Sequence, residues 1–152
     1  MSVLNKKIVY QNVCNEVNLR IRNLKSILQE MFDAASRNDS KNSAGDKHET
    51  GVAMAQLEQE KLTKQINELL TIQENLQKIN PTTSHTKIGL GSLVETNNGW
   101  YYFSVGIGTI KMESFSIFAI NPKAPIGELL LGKTKGECIL FNGKSTEILS
   151  IQ

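Results

Sequence analysis

The chain has 152 residues, 21% of them charged, and a net charge of +2; that length admits one ordinary domain or two small ones. So small a net charge excludes the general basic field by which a protein binds nucleic acid autonomously through phosphate neutralisation. No stretch approaches the roughly 18 apolar residues of a membrane span and the N-terminus lacks the apolar core of a signal peptide, so the sequence reads as cytoplasmic, without membrane contact. Cys14 and Cys138 lie far apart, without the close spacing of a zinc site or a disulfide framework, and read as small buried or half-buried residues.

The first segment follows a heptad. Val3, Tyr10, Val17, Leu24 and Met31 form one apolar row and Cys14, Ile21, Leu28 and Ala35 a second, with the alternating three-four spacing of a coiled-coil seam. After the polar stretch "RNDSKNSAGDKHET", a second helical pattern carries Ala55, Leu62, Leu69 and Leu76 at intervals of seven, with Ile66 between them and Gln59 and Gln73 in the alternate row. Two helices separated by a polar interval predict an antiparallel coiled-coil hairpin over 1–80, with an acidic tip near 39–50. A helix of about 30 residues rises about 45 Å, so the tip is expected some tens of ångströms from the other end of the chain. Two helices alone bury little, and the hairpin is expected to lean on the second half for stability.

Glycine and proline mark the boundary. Only Gly45 and Gly51 precede Asn80, whereas nine glycines and all three prolines fall at or after Pro81. From there to residue 152 the period shortens: "KIGLGSLVET", "GWYYFSVGIGTI" and "FSIFAI" are rich in β-branched and aromatic residues and separated by turn signals such as "NNG". "APIGELLLGK" predicts a short helix, started by Pro125 and stopped by Gly132. "GECILF" and "STEILSI" predict two last strands joined by a tight turn at Asn142-Gly143. The fold class is therefore α+β: a long helical hairpin, then a small β-rich domain over 81–152 with one short helix and a strongly bent antiparallel sheet.

Chemistry-bearing residues concentrate in the polar turn. Asp46 and Glu49 stand three apart, which on one helical turn sets their Cβ atoms roughly 5 to 6 Å from each other, a workable spacing for sharing a hard cation. Magnesium takes oxygen ligands and is commonly held by one or two protein carboxylates plus a substrate's phosphates. The same spacing suits a capping box that satisfies orphan amides at a helix start, and both readings stand at this level. His48 and Asp39 share the turn and read first as solvated polar residues. Trp100 to Phe103 alternate across a strand, so one pair is expected in the core rather than on a base-stacking surface. Gly106 to Gly108 read as a sheet bend, not a phosphate loop. No nucleophile, base and orienting acid come together, so the chain is not expected to be an enzyme by itself.

Two local patterns, in order, carry a family resemblance. "GDKHET" is similar to the Gly-Asp-x-x-Glu tip of the bacterial Gre transcript-cleavage factors, which lands on Gly45, Asp46 and Glu49. "APIGELLLGKTKGE", Ala124 to Glu137, resembles that family's "SPIARALIGKEEGD" segment at Pro125, Ile126, Leu130, Gly132, Lys133 and Gly136. The resemblance implies an FKBP-like C-terminal domain docking at the mouth of RNA polymerase's secondary channel, through the segment that contains Pro125, Ile126, Gly127, Leu130, Gly132 and Lys133. It implies a hairpin whose tip acids, Asp46 and Glu49, supported by Gly45 and His48, share a second Mg²⁺ with the polymerase and stimulate cleavage of backtracked RNA. The factor would be a monomer, touch nascent RNA only indirectly, and hold no cofactor alone. The chain departs from the family after Glu49, where Thr50, Gly51, Val52 and Ala53 replace an Asn-Ala-Glu-Tyr type sequence, and no basic stripe marks the hairpin. A channel-blocking modulator of polymerase without cleavage activity, and an unrelated coiled-coil adaptor whose tip acids only cap a helix, are the alternatives. Prolyl isomerase activity would rest on fold analogy alone.

Overall fold

A computed structural model of the protein describes the backbone over 4–41 and 46–152, and side chains over 4–37 and 51–152. The chain divides into two compact units, one formed by 17–72 and the other by 1–16 with 73–152.

The first unit consists of the greater part of two helices, α1 (Lys6–Lys41) and α2 (Asp46–Gln77). Their seam follows the heptad where it is most apolar. Val17 and Ile21 on α1 and Leu62 and Ile66 on α2 are buried, while Leu24, Leu28, Met31 and Leu69 are half-buried. Arg20 and Leu24 share a surface cleft with Gln65 to Ile72, and Phe32 shares another with Gln56 to Thr71, so the helices run antiparallel. Two expectations are corrected here. Ala35 is exposed and Ala34 takes the half-buried place; among the described residues at this end of α2, Ala55 and Gln59 are the half-buried ones, short or polar groups with little apolar surface to share. The polar stretch 37–50 is also mostly helix rather than connector, since α1 continues through Lys41 and α2 starts at Asp46. Once a seam has nucleated a helix, each added residue gains a hydrogen bond at little cost, so a polar run prolongs it.

The second unit is built on a six-stranded sheet. Its strands are β1 (Leu93–Thr96), β2 (Gly99–Phe103), β3 (Gly108–Met112), β4 (Phe115–Ile120), β5 (Cys138–Phe141) and β6 (Lys144–Ile151), in the order β3-β4-β2-β1-β6-β5. A short helix, α3 (Pro125–Leu130), lies between β4 and β5 in the chain. The sheet is mixed, not antiparallel as expected: β2 and β4 pair in parallel, Trp100 opposite Ile117 through Phe103 opposite Ile120. The reason is the hairpin of β3 and β4, which turns at Glu113 and inserts its second strand beside β2, leaving β3 at the edge. Periodicity reports that a strand exists, not which neighbour it takes. The tight turn between β5 and β6 is as expected, with Asn142 and Gly143 both at positive φ, 49° and 77°.

Both faces of the sheet are covered. On one, Phe103 packs with Ile88, Val94, Leu130, Ile139 and Ile148. On the other, Tyr102 lies beside Tyr10 and Cys14 of α1. The expectation that one alternating pair of the aromatic run would be buried therefore fails: adjacent residues Tyr102 and Phe103 are both 0% exposed. They point to opposite faces, and each face meets its own cover. Trp100 and Tyr101 instead make aromatic pairs with Phe115 and Phe118 of β4. Cys14 is half-buried as expected, but Cys138 is exposed, because β5 alternates and directs Ile139 inward.

The base of the hairpin belongs to this unit. Asn5 caps α1, its Oδ1 accepting the Lys7 N–H at 2.8 Å. Tyr10 Oη donates to the Leu76 carbonyl at 2.8 Å and Gln152 Nε2 to the Leu4 carbonyl at 2.8 Å. Among the described residues the Tyr102 hydroxyl, which is buried, has no partner, and burial, then Tyr10 and Cys14, push its ionisation well above the ordinary tyrosine range. A buried hydroxyl that makes no bond keeps its desolvation cost, so Tyr102→Phe is expected to leave stability unchanged or raise it by about 1 kcal/mol in urea unfolding. A loss greater than about 1 kcal/mol would show that the hydroxyl is bonded after all.

Candidate functional site

The hairpin end brings the acidic turn onto helical backbone. α2 starts at Asp46, so Asp46, His48 and Glu49 share its first turn. The positive end of a helix favours ionised carboxylates by roughly 0.3 to 1 kcal/mol, which suits a cap and a cation ligand alike. Gly45 and the side chains of Asp39, Asp46, His48 and Glu49 lie outside the described residues, and no ligand geometry is assigned to them. Among the described residues, no three His, Cys, Asp or Glu side chains are grouped to hold a metal ion.

The second patterned segment is α3 and the turn after it. Pro125 occupies the first turn, where its missing N–H costs nothing. Ile126 is half-buried against the core, Leu130 is 0% exposed within it, and Gly127 is buried. A Cβ on Gly127 would stand 2.5 Å from the Asn121 carbonyl oxygen and 2.8 Å from that of Pro122. Gly132 takes φ +79° and donates its N–H to Ile88 O at 2.7 Å, while Ile88 donates to Lys133 O at 2.9 Å. Gly127, Leu130 and Gly132 thus build the fold locally. The segment's outward surface includes Pro125, Glu128, Leu129 and Leu131, the two leucines 41% and 49% exposed, with Lys133 half-buried.

No protein-family model and no curated protein matches the chain. Solved structures resemble it, two of them GreA-like factors. One is the GreA factor homolog 1 (Gfh1) protein of Thermus thermophilus, with 16% identity, 91% of this chain and 94% of that chain covered, and a TM-score of 0.37. The other is Thermus aquaticus Gfh1, with 18% identity, 90% and 92% covered, and a TM-score of 0.35.

Sequence reasoning missed two features. The exposed Leu129 and Leu131 were hidden in an apolar run that reads as core throughout. The second is a polar cluster at the hairpin base, where Lys6 meets His85, 79 positions away in the chain. No local pattern could pair them. Among the described residues no helix is long and apolar enough to cross a membrane.

Proposed function

We propose that the chain is a Gre-type transcription elongation factor, which enters the secondary channel of RNA polymerase and stimulates cleavage of backtracked RNA. The observation that carries this reading is the pair of patterned segments in their order. "GDKHET" falls where one long helix gives way to the next, and "APIGELLLGKTKGE" falls on α3 and its following turn in the sheet unit. Asp46 and Glu49, three apart at the start of α2, offer oxygen donors of the kind Mg²⁺ prefers. Bound there with the polymerase's own ion, the metal would help activate a water and stabilise the attacking and leaving oxygens of an in-line displacement. The two carboxylates would hold that ion in place, and His48 and Gly45 would support the turn. Two side chains are only part of a coordination sphere, so the chain alone neither binds Mg²⁺ tightly nor cleaves RNA. In this reading Pro125, Ile126 and Lys133 contribute to docking and Gly127, Leu130 and Gly132 shape the segment that docks.

One observation favours a second reading. After Glu49 the chain continues with Thr50, Gly51, Val52 and Ala53, lacking the acid and the aromatic of the family tip. A factor of this kind would occupy the channel and slow nucleotide entry without cleavage.

The test is a backtracked-complex assay with Asp46→Asn/Glu49→Gln. Stimulated cleavage is expected to fall to the level of polymerase alone while co-purification with polymerase is kept. Cleavage unaffected by the double variant would remove the tip mechanism, and loss of promoter-dependent synthesis without shortened RNA would establish the blocking reading. Absence of polymerase from a pull-down in native lysate would overturn both.

A further inference from the structure

The chain contains two Asn-Gly pairs, Asn98-Gly99 and Asn142-Gly143, and each lies where one strand turns into the next. Such a pair holds a latent reaction, because the glycine nitrogen can attack the asparagine side-chain carbonyl with no Cβ in its way. The fold sets the two pairs apart. In the first turn Gly99 is already in the ladder, opposite Thr96 in the closing pair, so the attacking nitrogen is held in place. The amide that would leave is held as well: Asn98 Nδ2 donates to Thr146 Oγ1 at 2.7 Å and to Ser145 O at 3.3 Å, and the Asn98 N–H donates to Thr96 Oγ1 at 3.1 Å. In the second turn the closing pair is Phe141 with Lys144, which leaves both Asn142 and Gly143 at the apex. Both are exposed, at positive φ of 49° and 77°. Among the described residues, no hydrogen bond holds the Asn142 amide or the Gly143 N–H.

We propose that Asn142 is a site of spontaneous deamidation, with water as the co-reactant, whereas Asn98 is protected by its turn. Hydroxide takes the Gly143 N–H proton, the nitrogen bonds to Asn142 Cγ, and the Cγ–Nδ2 bond breaks as the amide nitrogen takes up a proton and leaves as ammonia. Water then opens the resulting succinimide ring at one of its two carbonyls, so the net change is hydrolysis of an amide without oxidation or reduction. The two openings differ in consequence. Breaking the new bond to Cγ leaves aspartate on an ordinary backbone, and Asp-Gly serves a tight hairpin as Asn-Gly does. Breaking the bond to the Asn142 backbone carbonyl routes the chain through the side chain, and the isoaspartate adds a carbon to the turn. A turn lengthened in this way no longer matches Phe141 with Lys144, and β5, at the sheet edge, has only β6 beside it. Ile139 of β5 packs with Leu130 of α3, and Phe141 packs against the same cluster. Isoaspartate at position 142 therefore loosens the support of α3.

The experiment holds the full folded chain at mildly alkaline pH over days and follows the tryptic peptides 88–111 and 136–144 by mass spectrometry, with electron-transfer fragmentation to tell isoaspartate from aspartate. Asn142 is expected to convert at least about tenfold faster than Asn98, a ratio that the bonds holding Asn98 account for. In urea the two sites are expected to react at comparable rates. Thr146→Val, which removes one acceptor of Asn98 Nδ2, is expected to speed Asn98 at least about threefold. The purified isoaspartyl chain is expected to lose about 4 °C or more in Tm. Asn142→Asp is expected to unfold at the parent temperature, and Asn142→Gly, which tight hairpins also favour, to yield neither product. Equal conversion of Asn98 and Asn142 in the folded chain would overturn the proposal, as would an Asn142 that converts only in urea. An isoaspartyl chain as stable as the parent would overturn the link from this turn to α3. None of these outcomes depends on polymerase.

Discussion

Gly127→Ala is expected to destabilise the protein by about 3 kcal/mol, at the upper end of what overpacking usually costs. Gly127 itself lies inside α3, and conformational freedom is not the issue. The obstacle is that the new methyl would stand 2.5 Å from Asn121 O and 2.8 Å from Pro122 O, both backbone atoms. Asn121 O cannot withdraw freely, because it also accepts the Ala124 N–H at 2.9 Å just before the helix. Relief requires α3 to lift off the segment beneath it, and Leu130 to leave the core with it. Urea unfolding followed by circular dichroism measures the loss, and a change below about 1 kcal/mol would mean that the helix shifts without cost. Gly51→Ala supplies the opposite sign. Among the described residues no atom lies within 4 Å of the added Cβ there, and the position is inside α2, so alanine should stabilise that helix by about 1 kcal/mol. The contrast also bears on function: loss of polymerase binding in Gly127→Ala would report a damaged domain, not a lost contact.

Phe103→Ala is expected to cost roughly 3 to 5 kcal/mol, the transfer energy of the ring together with the cavity it leaves. Phe103 is fully buried, on β2 next to two strands at once, and packs with residues from β1, α3, β5 and β6. Few of these neighbours can move inward, since each is held by its own strand or helix. Its neighbour Tyr102 is equally buried, yet Tyr102→Phe should cost nothing. Equal burial therefore separates into two outcomes according to what is removed, packed ring atoms in one case and an unpartnered hydroxyl in the other. A Phe103→Ala loss below about 2 kcal/mol in urea unfolding would show that this face of the sheet collapses readily around the gap.

Much of the fold was legible in the residues. The heptad rows located both helices and most of the seam, since an amphipathic helix must repeat its apolar face. Pro125, Gly132 and Asn142-Gly143 located α3 and the last hairpin, because each of these residues imposes or permits a backbone conformation that few others share. Where the reading failed, the missing information was non-local. Ala35 lost its place because of what stands opposite on α2, and Cys138 because of which side of β5 faces the core. The parallel pairing of β2 with β4 depends on a competition between strands for neighbours, which no strand's own pattern records. The acidic turn was found by spacing, and its backbone lies at the start of α2; the polar cluster around Lys6 was not found, since Lys6, Thr83 and His85 share no motif.

The sequence by itself determined which segments are helix and which are strand, where the character of the chain changes, and that Asp46 and Glu49 stand one turn apart. Those properties are local, set by side-chain periodicity and by the few residues with restricted or unusual backbone freedom. Only the tertiary structure decided that the root of the hairpin belongs with the sheet, that two consecutive aromatics are both core, and that Lys6 meets Thr83 and His85 across 77 and 79 positions of the chain. Each of these follows from surfaces meeting across large separations in the chain, where the energy lies in the pair and neither partner's neighbourhood in sequence announces it.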